Sequence, residues 1–211
     1  GDPEYSRIKA AKKIREFGVE EAYLYEATLT NLIPGMTYEY RIASENDTIL
    51  GETHTFNTLA ADQESYSLMF LPDPQENSTS GYMAYAYSVM SVMEYIETNI
   101  ELVMIPGDLI DNHDVRTQWN QFFRYSSMYS FDTPLAAAFG NHEMPAIYDE
   151  TVNLTEFDGY TNLPNNGPIY GNFNELSGDA RSHTFDNGKT YSFDFGMAHI
   201  VVIDSEMYCD G

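Results

Sequence analysis

Three short polar segments could do chemistry together: Asp73-Pro74-Gln75, Gly107-Asp108-Leu109-Ile110-Asp111-Asn112 and Gly140-Asn141-His142-Glu143. Carboxylates and amides offer hard oxygen donors, and imidazole is a borderline metal ligand or a proton donor. A carboxylate can also bridge two cations. Two cations about 3.5–4 Å apart can clamp a phosphoryl group and generate hydroxide near neutral pH. Taken singly, each segment has a plainer reading. Asp73 before Pro74 reads as a turn or helix cap. Gly107-Asp108 reads as a strand-end turn, and Asn141-His142 as a loop with an exposed histidine. Their occurrence in order, each after an apolar run, favours one shared site.

The elements that must position them follow from periodicity. Ser67–Leu71, Leu102–Ile105 and Leu135–Phe139 read as short apolar strands. Between them, residues 81–98 carry Met83, Tyr87, Met90, Met93 and Ile96 at helical spacing. Val115–Tyr129 is a second helical stretch, with Val115, Trp119, Phe122 and Phe123 on one side. The order β-α-β-α-β predicts a parallel sheet with helices packed on it. Ligands of such open sheets bind beyond the carboxyl ends of the strands. All three polar segments are therefore expected at one sheet edge. Gly107 and Gly140 permit the sharp turn that aims the next side chain inward.

Residues 1–20 are mixed and charged. Tyr23, Tyr25, Ala27 and Leu29 then alternate with period two, as do Tyr38, Tyr40 and Ile42 after the turn Ile33-Pro34-Gly35-Met36. With a last strand over His54–Thr58, this predicts a small antiparallel β-unit over residues 1–59. The polar stretch Leu59–Glu64 joins it to the α/β part. Residues 145–180 read as loop. Three late strands are expected near Ser182–Asp186, Thr190–Phe195 and His199–Ile203, with Asp186-Asn187-Gly188 as a hairpin turn. The expected fold class is thus α/β with an α+β element: a small antiparallel β-domain, then a β-α-β-α-β sheet.

Composition narrows the partners. With 43% apolar and 14% aromatic residues, the chain can bury a sizeable core. Its 10 basic residues face 33 acidic ones, a formal charge of −23. Nucleic-acid binding needs lysine and arginine on phosphates, so nucleic acid and anionic membrane are excluded as partners. An anionic substrate must be held locally, and a bound metal is the usual device. Cys209 is the single cysteine, so no disulfide forms within the chain. No run reaches the roughly 18 apolar residues of a membrane span. No basic-then-apolar leader opens the chain, which is then cytosolic or a trimmed piece of a secreted protein.

The ordered motifs resemble the signature of calcineurin-like metallophosphoesterases, and Gly140-Asn141-His142-Glu143 is its most specific part. Leu29 to Arg41 resembles the fibronectin-III-like N-terminal domain of purple acid phosphatases. Thr190–Gly196 and Ile203–Glu206 resemble the same family. The resemblance implies a partial fibronectin-III-like domain over residues 1–59, and the N-terminal part of a metallophosphoesterase domain over residues 65–211. It implies two divalent or trivalent metal ions (Fe, Mn or Zn) and a small phosphate-ester substrate. Asp73 would bind the first metal, Asp108 would bridge both, and Asn141 would bind the second. His142 would stabilise the phosphoryl oxygens or protonate the leaving alcohol, and Asp108 counts with it as catalytic. A metal-bound hydroxide would attack phosphorus in line. The parent protein would be secreted or at the cell surface, with the cytoplasm as the alternative.

The sequence departs from that family in three places. Purple acid phosphatases carry a tyrosine ligand three residues after the bridging aspartate, where Asp111 stands here. Many relatives have histidine where Gln75 stands; its amide oxygen either ligates or only forms hydrogen bonds. The family's later histidines, including a Gly-His-x-His pair, have no counterpart. His183 and His199 read as strand residues, and His113 as an exposed loop residue. The chain is thus expected to be cut at both ends and to hold half of the metal site. A fibronectin-III-like sandwich takes about 100 residues. The alternatives are a non-catalytic surface or binding module on a degenerate phosphatase scaffold, and a phosphodiesterase or nucleotidase.

Overall fold

The computed structural model describes residues 8, 10–17, 20–96, 98–143, 155–167 and 189–205. Its centre is a parallel sheet of β5 (Leu68–Phe70), β6 (Leu102–Ile105) and β7 (Leu135–Ala137), in that spatial order. The register runs Leu68 against Leu102 and Val103 against Leu135. α1 (Thr79–Tyr95) connects β5 to β6, and α2 (Arg116–Ser130) connects β6 to β7. Both crossovers step the same way along the sheet. Right-handed crossovers then put both helices on one face, and the two helices do pack on each other. Val103, Ile105, Trp119, Phe122 and Ala86 form the buried centre of this layer.

α1 begins where Ser78 caps it, its hydroxyl accepting from the Gly81 N–H at 3.1 Å. Its buried face differs from the expected stripe. Tyr82, Ala86 and Val89 are buried and Met93 is partly so, whereas Met83, Tyr87, Met90 and Ile96 are exposed. The helix is apolar nearly all round, so two stripes one residue apart both fit a period of 3.6. Packing on the sheet selected the stripe that carries Tyr82. On α2, Trp119 and Phe122 are buried as expected, while Phe123 stays exposed at the rim, stacked on Trp119.

Two hairpins precede the sheet. β1 (Ala11–Phe17) pairs with β2 (Glu20–Glu26), and β3 (Thr37–Ala43) with β4 (Ile49–Asn57), as separate antiparallel pairs. β1 lies in the stretch read as merely charged; Lys, Arg and Glu mask its alternation. The second hairpin docks on the turn after α2. Tyr40 donates its hydroxyl to the Phe131 carbonyl at 2.9 Å, and His54 stacks on the Phe131 ring at 4.0 Å. The Thr55 N–H reaches the Asp132 carboxylate at 3.2 Å. The end of α2 feeds the start of β7, so this contact lies at the edge opposite the polar motifs.

A short helix, α3 (Thr155–Tyr160), occupies part of the stretch expected to be loop. Its one turn is too short to show periodicity in sequence. Phe157 packs it into the core against Trp119 and Phe139. β8 (Tyr191–Phe195) and β9 (Ala198–Val202) form a hairpin close to the expected late strands. The Tyr191 hydroxyl donates to the Ala137 carbonyl at 2.7 Å and ties that hairpin to β7. The strand expected at 182–186 and its Asp186-Asn187-Gly188 turn lie outside the described residues.

Candidate metal centre

β5, β6 and β7 all run the same way, so their carboxyl ends share one edge, and the three polar motifs follow directly. The backbone there is unusual. Asp73 has φ of 48° and Asp108 has φ of 55°, both left-handed, and Gly107 has φ of 119°. An aspartate tolerates this region better than most residues, yet such positions cost on the order of 1–3 kcal/mol and gather at functional sites. A Cβ on Gly107 would lie 2.8 Å from the Gly140 Cα. A Cβ on Gly140 would collide with the Asp108 backbone N. The second and third motifs therefore touch backbone to backbone, which only glycine at both places allows.

Glu143 fastens them. Its carboxylate accepts four backbone N–H groups: Leu109 at 2.7 Å, Gly140 at 2.8 Å, Asp108 at 2.9 Å and Ile110 at 3.3 Å. It is only 2% exposed. Burial pushes its carboxyl up to about 7, and the four N–H groups pull the other way by favouring the anion. Glu143 has no role legible from its sequence neighbours. Its place in the motif was the available signal, but its partners are 33 to 35 residues upstream apart from Gly140, so spacing could not reveal the clamp.

Asp108 joins all three motifs. Its carbonyl accepts the Gln75 N–H at 2.9 Å, and its Oδ1 accepts the His142 N–H at 3.1 Å. His142 Nδ1 lies 2.7 Å from the Asp111 carbonyl and 3.7 Å from its carboxylate. A carbonyl only accepts, so Nδ1 carries the proton and Nε2 is left for other work. The hydrogen bond to the Asp111 backbone raises the His142 pKa, opposed by desolvation and assisted by Asp108, Asp111 and Glu143. Asp73 and Asn141 are exposed; Gln75, Asp108 and His142 are half-buried.

The donors fit a cation in kind: two carboxylates and two amides, all with hard oxygens. Among the described residues, no three His, Cys, Asp or Glu side chains stand together closely enough to hold a metal ion. The set is thus open and oxygen-based, unlike a closed structural zinc site. His113 is half-buried, and its carbonyl takes the Trp119 indole N–H at 2.9 Å. His199 sits on β9 with its ring 2.7 Å from Asp194. His183 lies outside the described residues.

Fold and motifs together define an α/β protein with a polar, oxygen-rich constellation at the carboxyl edge of a parallel sheet. Residues 48–206 match the family model of calcineurin-like phosphoesterases, and the chain belongs to that family. No curated protein matches it. A purple acid phosphatase from yellow lupin (Lupinus luteus) seeds has a similar fold, with a TM-score of 0.63 and 17% identity. The match covers 100% of this chain and 40% of the lupin chain, so this chain spans less than half that enzyme's length. Among the described residues, no helix is long and apolar enough to cross a membrane.

Proposed function

We propose that the protein hydrolyses phosphoric esters, phosphomonoesters first, at a two-cation site to which this chain contributes Asp73, Asp108, Asn141 and the amide of Gln75. The observation that carries this reading is the convergence of three motifs on one sheet edge, bonded through Asp108 and Glu143. Asp108, bonded to the backbones of Gln75 and His142, would serve both cations, with Asp73 and Asn141 as the further ligands. Bound Fe, Mn or Zn ions would neutralise phosphoryl charge and make water a stronger nucleophile. The chain's own residues do the rest. Glu143 holds the turns that present Asp108 and Asn141. His142, with Nδ1 tied to the Asp111 carbonyl, turns Nε2 toward the substrate. The raised His142 pKa keeps a proton available there, for a phosphoryl oxygen or the leaving alcohol. Asp111 stands where purple acid phosphatases carry their tyrosine ligand, so no tyrosinate colour is expected.

A second reading has one observation in its favour: no acidic or histidine triplet closes around a metal among the described residues. On that reading the protein is a non-catalytic binding module. The discriminating experiment is hydrolysis of a chromogenic phosphomonoester with added Mn²⁺, Zn²⁺ or iron, by the full-length protein that contains this chain and by its Asp108→Asn variant. Metal-dependent turnover lost in Asp108→Asn supports the hydrolase. No turnover, with no change in metal binding in Asp108→Asn, sinks it. A phosphodiester run in parallel decides between ester classes.

A further inference from the structure

Two tyrosines on α1 reach the strand-end turns from below. The Tyr85 hydroxyl donates to the Pro72 carbonyl at 3.1 Å, and Pro72 immediately precedes Asp73. The Tyr82 hydroxyl donates to the Leu109 carbonyl at 3.4 Å, and Leu109 immediately follows Asp108. Tyr82 also interacts with the backbone of Glu76, in the segment that follows Asp73. Residues three apart lie on the same helix face, so one rigid element grips both turns. Desolvation pushes both phenols up to about 12, which keeps them protonated donors at any ordinary pH. The Asp73 charge raises Tyr85 further.

Asp73 and Asp108 share a left-handed backbone that a non-glycine residue does not keep by its own preference. Something adjacent has to hold each peptide plane. Glu143 holds the N–H side of the Asp108 turn, and the tyrosines hold carbonyls on the other side of both turns. We propose that Tyr82 and Tyr85 are positioning residues for the candidate metal centre, fixing the Pro72 carbonyl just before Asp73 and the Leu109 carbonyl one residue past Asp108, and thereby the aim of both carboxylates. The proposal rests on the reading of those aspartates as metal ligands. The exposed and oppositely facing tyrosines of α1, Tyr87 and Tyr95, have no such part.

The test is Mn²⁺ binding to the full chain, followed by electron paramagnetic resonance, for wild type, Tyr82→Phe, Tyr85→Phe, the double variant and Asp108→Asn. Phenylalanine keeps the buried ring and removes only the hydroxyl. Loss of partners that orient metal ligands weakens metal binding roughly 10- to 100-fold. The double variant should therefore raise the Mn²⁺ Kd by about that factor, with each single variant intermediate. In the full-length protein that contains this chain, saturating Mn²⁺ should restore phosphomonoester turnover, a rescue that a purely structural loss would not show. Circular dichroism establishes that the variants are folded; should the double variant fail to fold, the single variants carry the test. An unchanged Kd in folded phenylalanine variants, with binding lost in Asp108→Asn, overturns the positioning role and leaves the metal reading standing. Unchanged binding in Asp108→Asn overturns the metal reading, and the proposal falls with it.

Discussion

Replacing Gly107 by alanine tests whether the second and third motifs really meet backbone to backbone. Two costs add. The residue has φ of 119°, where an L side chain is strained by on the order of 1–3 kcal/mol. The new methyl would also sit 2.8 Å from the Gly140 Cα and 3.0 Å from its N. Those are backbone atoms, so no flexible side chain can swing aside, and overpacking adds about 1–3 kcal/mol. The sum, roughly 2–6 kcal/mol, is a large share of the 5–15 kcal/mol that typically holds a domain folded. Two controls separate the costs. Gly51 has φ of 89° with nothing within 4 Å of an added Cβ, so Gly51→Ala carries the backbone strain alone. Gly140 has no left-handed φ to strain, but its added Cβ meets the Asp108 backbone and carboxylate, so Gly140→Ala carries a collision without backbone strain. Urea unfolding is read by the emission of Trp119, the single tryptophan and fully buried. Gly107→Ala should cost more than Gly51→Ala by the collision, about 1–3 kcal/mol. If Gly107→Ala cost no more than Gly51→Ala, the contact between the motifs would be refuted, and with it the shared edge on which the site is built.

Glu143→Gln should destabilise the fold by about 3 kcal/mol or more, because an amide cannot accept from four N–H groups and leaves buried donors unpaired; urea unfolding followed by circular dichroism checks this, and a loss under 1 kcal/mol would contradict the clamp. Alkaline pH should weaken the fold in a defined window. Desolvation raises Tyr82, Tyr85 and Tyr191 to about 12, and raises Tyr129 as well. Above about pH 10 the unfolded chain releases phenolic protons that the folded chain keeps, so the stabilisation is full below pH 10 and is lost as pH climbs towards 12. Urea midpoints at pH 9, 10.5 and 11.5 should fall in that order, with phenolate absorbance appearing together with unfolding. Midpoints that stay level would show that these phenols titrate freely in the folded protein.

Much of the architecture is legible in local pattern. The span Leu102–Ile105 reads as a strand and is one, residue for residue, because a short apolar run between a helix and a Gly-Asp turn has few other uses. α2 is recognisable from Trp119 and Phe122 at helical spacing. Where local pattern is ambiguous, reading stops short. α1 offered two apolar stripes, and the chain alone does not say which one faces the sheet. β1 hid behind its charges, and α3 was too short to have a period.

Sequence by itself determined which residues could do chemistry and that they would gather at one edge. Motif order, strand pattern and the polarity of a parallel sheet are enough for that, since carboxyl ends of parallel strands must coincide. Only the tertiary structure decided how the gathering is enforced. Glu143 finds three of its four N–H partners more than 30 residues away, Gly107 packs on Gly140, and Tyr82 and Tyr85 reach the turns after Asp108 and before Asp73. Those contacts join segments far apart in the chain, and spacing along a sequence carries no information about distance across a fold.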